Sequence, residues 1–137
     1  KQKIVWKRIG SVLRFSYDNS GAFCLDSTCF ATGQDIKFLV GYLNSTVSKR
    51  MLLDNSPKTG TGDIITSVQA LEPLLIPKVD EEQKLRITNL VDKSIELLNN
   101  NINADLSIIE SEIDEIIYQS YELSEEEIQY IKNSFFI

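Results

Sequence analysis

Residues 71–83 read Leu71-Glu72-Pro73-Leu74-Leu75-Ile76-Pro77-Lys78-Val79-Asp80-Glu81-Glu82-Gln83. Pro73 and Pro77 bracket a short apolar run, Leu74 to Ile76, which fits an edge strand because proline cannot donate to a ladder. Three residues beyond Pro77 the pattern changes. Asp80 followed by Gln83 has the form of a capping box, in which each side chain takes a backbone N–H left unpaired at a helix start. Strand-like segments precede this junction and helical ones follow it. An α+β fold is therefore expected, with a β-rich half over 1–78 and a helical half over 79–137.

Downstream, Ile87, Leu90, Val91, Ile95 and Leu98 recur on one helical face. Asn99-Asn100-Asn101 interrupts it. Ile102, Leu106, Ile109, Ile113 and Ile116 then alternate in steps of four and three, as in an a/d seam. A short polar link between two such helices predicts an antiparallel helical hairpin. Ser124 with Glu127 makes a second capping box, and Ile128 and Ile131 give a short last helix a buried side.

Upstream, residues 4–6 and 12–17 are β-prone. Asp18-Asn19-Ser20-Gly21 is a turn signal, with 22–25 as the return strand of a hairpin and 28–31 as a further strand. Ile36, Leu39, Val40, Leu43, Val47 and Met51 predict one amphipathic helix over 35–53. Gly41 inside it marks close packing, since an interior glycine is otherwise unfavourable. The stretch 54–63 is loop by composition, and 64–68 and 74–76 are strand candidates. Phe15, Tyr17, Phe23, Phe30 and Phe38 are read first as core, with a stacking platform for single-stranded nucleic acid as the alternative.

The chain has 137 residues, 42% of them hydrophobic, enough for a packed domain. It opens on Lys1 rather than Met, so a piece of a longer protein is expected. No apolar run is long enough to span a bilayer. Cys24 and Cys29 are read as ordinary buried thiols of a cytosolic protein. With no histidine, two cysteines cannot complete the usual zinc shell, and a Ser-His-Asp or Cys-His centre is excluded. No P-loop or GxGxxG motif occurs, so no catalytic or metal-ligating residue is assigned.

The net charge of −6 conceals a division. Residues 1–78 hold 10 basic and 6 acidic side chains; residues 79–137 hold 4 and 14. The basic residues cluster as Lys1, Lys3, Lys7, Arg8 and Arg14, then Lys49 and Arg50, then Lys58. Such groups neutralise phosphate, although any one of them taken alone reads as a solvated surface charge. In the 54–63 loop, Lys58, Thr59 and Thr61 can reach base edges between glycines whose backbone approaches phosphate closely. The same loop also reads as an exposed connector.

In order along the chain, several motifs resemble the TaqI-like C-terminal specificity domain of adenine-specific methyltransferases and fused type II restriction–modification enzymes. They are Lys3 to Gly10, Asp26-Ser27-Thr28-Cys29-Phe30, Gly41-Tyr42-Leu43-Asn44-Ser45, Leu71 to Pro77 with Glu82-Gln83, and Ile117 to Ile128. In the last, Ser120 and Glu122 stand where the family prefers leucine and glycine. The resemblance implies a non-catalytic target-recognition domain with duplex DNA as partner. An upstream methyltransferase domain of the same chain would use S-adenosylmethionine, and Mg where cleavage occurs, in the cytoplasm. It assigns no base-contacting residue. The DNA-binding candidates remain Lys7, Arg8, Arg14, Lys49, Arg50, Lys58, Thr59 and Thr61. Two other readings stand beside this one: a protein-interaction module that dimerises through the helical hairpin, and half of a type I specificity subunit, which shares the proline-bounded junction.

Overall fold

The structure is a computed structural model that describes residues 2–10, 13–21, 28–60, 62–74 and 76–134. Its elements are β1 (Lys3–Lys7), β2 (Ile9–Gly10), β3 (Phe15–Asp18), β4 (Thr28–Ala31), α1 (Ile36–Leu43), α2 (Thr46–Asn55), β5 (Ile64–Ile65), α3 (Val68–Leu71), α4 (Glu81–Asn100), α5 (Ser107–Ser120) and α6 (Glu125–Asn133). The architecture is α+β, as the junction at 71–83 implies.

Strand β1 is the centre of a three-stranded antiparallel sheet in the order β3-β1-β4. Alternate side chains of a strand point to opposite faces, and the register sorts them cleanly. Trp6 lies opposite Phe15 and Cys29, and Ile4 opposite Tyr17 and Ala31; these pack on or against the core. Lys3, Val5 and Lys7 lie on the outer face with Ser16, Asp18, Thr28 and Phe30. Phe30 is thus not core: it is 54% exposed. Cys29 is a half-buried free thiol. The expected return strand at 22–25, with Phe23 and Cys24, lies outside the described residues, and the described partner of β3 is β1. A second, small sheet pairs β2 with β5.

The single helix expected over 35–53 is two helices, and Asn44 and Ser45 are the reason. The Asn44 side chain accepts from the Phe15 N–H at 2.9 Å and donates to the Phe15 carbonyl at 2.8 Å and the Val40 carbonyl at 3.1 Å. It therefore occupies the outer edge of β3 as a neighbouring strand would. Ser45 caps α2, its hydroxyl accepting from the Ser48 N–H and donating to the Tyr42 carbonyl. Side chains that bond locally to backbone compete with continuous helix, and here they turn the chain. Asp35 precedes α1 in the left-handed region at φ 56, a conformation aspartate tolerates better than most residues.

Gly41 sits where α1 meets α4. A Cβ there would lie 2.6 Å from Ile87 Cγ2 and 3.1 Å from Val91 Cγ2, so the close approach read from the sequence is real and names its partner. Two ion pairs flank the contact, Lys37–Asp92 at 2.6 Å and Lys84–Asp35 at 3.3 Å. Residues on both sides of Lys78, from Ile4 and Trp6 to Ile117 and Ile128, form one buried cluster.

In the helical half both capping boxes form, at Asp80/Gln83 and Ser124/Glu127. The antiparallel hairpin of α4 and α5 packs as expected, but α5 begins at Ser107 rather than Ile102. Ile109, Ile113 and Ile116 are buried, whereas Ile102 is 83% exposed and Leu106 only partly buried. The seam thus holds only over its second part. Of the strand expected over 64–68, Ile64 and Ile65 are strand and Val68 starts a short helix; of that expected over 74–76, Leu74 and Ile76 are irregular and Leu75 lies outside the described residues. Proline on both sides leaves that run too few ladder donors.

Candidate nucleic-acid interface

The expected loop at 54–63 is largely ordered. Asp54 and Asn55 close α2. Beyond them the chain folds back on itself: Lys58 bridges Ile64 antiparallel, and the Ile65 N–H donates to the Pro57 carbonyl at 2.8 Å. Thr59 ties the tip. Its N–H donates to the Asp63 carbonyl at 2.8 Å, its hydroxyl accepts from the Asp63 N–H at 3.0 Å, and its carbonyl accepts from the Gly62 N–H at 3.0 Å. Gly62 supplies the positive φ of 90 that the turn requires. Thr61 lies outside the described residues. The result is a two-stranded finger over 57–65.

The finger is fixed to the main sheet at its base. Ile64 and Ile65 pair with Gly10 and Ile9, and the Thr66 N–H donates to the Arg8 carbonyl at 2.6 Å. The Thr66 carbonyl accepts from the Trp6 indole at 2.9 Å and lies 3.9 Å from Cys29 Sγ. The finger therefore rises beside the end of β1 that carries Lys7 and Arg8. Arg14 immediately precedes β3.

Lys7, Arg8, Arg14 and Lys58 are exposed, and none has an ion-pair partner among the described residues. The other two candidate cations stand apart. Arg50 is engaged, bonding Asp54 at 2.6 Å and the Ser134 hydroxyl and carbonyl at 3.2 and 3.4 Å, which straps α2 to the end of α6. Lys49 is half-buried and feels Asp114 electrostatically. With Arg14 it lines a groove of about 460 Å³ between β3, α1 and the α4–α5 connection, into which Asp105 and Glu110 also face. Asp114 accepts from the Thr46 N–H at 2.8 Å and from its hydroxyl at 2.5 Å. Burial nevertheless raises its pKa above the ordinary value.

At the far end of the outer sheet face the charges cancel. Lys3 and Asp18 pair at 2.7 Å, and the lysine holds the Asp18 carboxyl below its usual range. Sequence reading named the cations but missed Phe30, whose outward position follows from the register of β4 against β1. Among the described residues no His, Cys, Asp and Glu cluster of metal-binding size occurs, and no helix is long and apolar enough to cross a membrane.

A small antiparallel sheet with a finger and exposed cations, braced by helices, defines the class of the fold as an α+β module. The particular family follows from comparison with known proteins. Residues 1–76 match the model of the TaqI-like C-terminal specificity domain, and the chain belongs to that family. The match ends at Ile76, so the likeness over Ile117 to Ile128 falls outside it. The chain is also similar to the Type II methyltransferase M.MjaIV of Methanocaldococcus jannaschii, 37% identical over 83 residues, which are 61% of this chain and 27% of that protein. The chain thus matches little more than a quarter of the relative's length.

Proposed function

We propose that this chain is the target-recognition domain of an N6-adenine DNA methyltransferase in a restriction–modification system, reading duplex DNA and performing no chemistry itself. The observation that carries this reading is the finger at 57–65 with Lys58, together with Lys7, Arg8 and Arg14, four exposed cations without carboxylate partners among the described residues, in a domain of the specificity family. The major groove admits a two-stranded ribbon. Lys58 and the hydroxyl-bearing tip would enter it, and Thr59 and Thr61 would meet base edges. Lys7, Arg8 and Arg14 would fix register on phosphates. Lys49 and Arg50 take at most a peripheral part, since the helical half claims them.

S-adenosylmethionine, and Mg where the parent enzyme also cleaves, belong in this reading to a methyltransferase portion of a longer cytoplasmic protein. This sequence has no Asn-Pro-Pro-Tyr stretch to serve them, and no step here runs through them. The acidic helical half faces away from DNA, which would repel it. A second reading has support of its own: Leu97, Leu98, Ile102 and Ile108 are exposed apolar side chains around the hairpin tip, a surface suited to a subunit contact in a dimer.

The deciding experiment is selection from a pool of random duplex DNA followed by binding across a salt series. Affinity that falls steeply with salt, with one sequence enriched, is the expected result. A concentration-dependent dimer with no salt-sensitive DNA binding would overturn the reading in favour of the interaction module.

A further inference from the structure

The outer face of the three-stranded sheet changes character along its length. At one end Lys3, only 8% exposed, is paired with Asp18. At the other, Lys7 is exposed, with Thr28 opposite it on β4. Between them the cross-strand row is Ser16, Val5 and Phe30. Phe30 is the large apolar residue of this face, on an edge strand and 54% exposed. The next residue back, Cys29, touches Thr66 at the base of the finger. Cys29 faces the core with Trp6, so Phe30 projects from the opposite face of the sheet, diagonal to the exposed Lys7.

A ring in that position has no hydrogen-bonding group, so it discriminates only through apolar contact. The edges of base pairs in the major groove are donors and acceptors with one apolar exception, the 5-methyl group of thymine. The exposed Lys7 beside the ring complements a polyanion and would hold such an edge against it. Resting on the DNA-recognition reading above, we infer that Phe30 is a specificity-determining residue that packs against a thymine methyl of the target site.

The test uses the duplex selected by the wild-type protein, each thymine in turn replaced by uracil, which removes only the methyl, with wild type compared with Phe30→Ala. Loss of about one buried methyl predicts roughly 4-fold weaker wild-type binding at one position. Phe30→Ala should weaken binding to the unmodified site by at least as much and be indifferent to uracil there. Phe30→Leu, which keeps an apolar contact, should restore part of the difference. Thermal melting of each variant reports folding, and an exposed position predicts little change. Wild-type binding that is insensitive to uracil everywhere, or a Phe30→Ala protein that keeps the full uracil effect, overturns this inference while leaving DNA recognition standing. No salt-dependent DNA binding by wild type overturns both.

Discussion

The two halves of the molecule put their charge to opposite uses. In the helical half the acids serve local structure: Glu81 and Glu82 occupy the first turn of α4, and Glu125, Glu126 and Glu127 that of α6, where the helix dipole favours negative charge. In the β-rich half Lys3 and Lys37 are paired, yet Lys7, Arg8, Arg14 and Lys58 have no ion-pair partner among the described residues. Net charge therefore says little about either surface. A charge that stabilises nothing nearby is available to a partner.

The largest effect should come from removing that availability. The variant Lys7→Ala/Arg8→Ala/Arg14→Ala should bind duplex DNA with a log–log salt slope shallower by roughly 2.7, about 0.9 for each lost phosphate contact. Its fold should be unchanged, since none of the three is paired within the described chain. Arg86→Ala/Lys93→Ala removes two exposed cations from α4 and should leave the slope where it was. Equal losses from the two variants would mean that overall charge, not the placement of these cations, governs association, and the contrast between the halves would fail.

The second effect bears on how the halves are joined. Gly41→Ala places a methyl 2.6 Å from Ile87 Cγ2, inside a buried contact. Overpacking of this kind costs about 1–3 kcal/mol, against which the better helix propensity of alanine returns up to about 1 kcal/mol. Net destabilisation is expected in urea unfolding. Ile87→Ala removes the obstructing methyl at its own cavity cost, so Gly41→Ala/Ile87→Ala should be less damaging than the sum of the single variants, with a coupling of about 0.5–3 kcal/mol. Strict additivity would show that α4 can retreat from α1 and that the two halves are packed more loosely than Gly41 implies.

What could be read from the sequence was mostly local. Asp80/Gln83 and Ser124/Glu127 announce their helices because a cap is a bond between near neighbours. Gly41 announces a close contact for the same reason that it is costly in a helix. The errors arose where distant groups decide. Asn44 ends α1 by bonding the backbone of Phe15, 29 residues earlier, and no periodicity at 35–53 contains that bond. The stretch before Ile64 reads as loop because its ladder contact is a single bridge, Lys58 to Ile64. Phe30 looked like core because an aromatic in a strand names no face until the register with β1 is known.

The smallest effect concerns the end of α5. Tyr121 is the C-cap, and the next two residues close the helix with two bonds: the Leu123 N–H donates to the Tyr118 carbonyl at 3.1 Å and the Glu122 N–H to the Gln119 carbonyl at 3.0 Å. This is a Schellman arrangement, and it requires a left-handed residue between cap and exit. That residue is Glu122 at φ 54, exposed and without a bond that would reward the strain. An L-residue pays about 1–2 kcal/mol in this region, and glycine avoids it at the expense of a more disordered unfolded chain. Glu122→Gly should therefore gain about 1 kcal/mol, raising the midpoint of thermal unfolding by roughly 4 °C, with DNA binding untouched because the site lies in the helical half. Glu122→Ala keeps the Cβ and should gain nothing. If alanine stabilised as much as glycine, the benefit would come from removing an acid near the negative end of α5, and charge would matter in the helical half in a way its capped helix starts do not reveal.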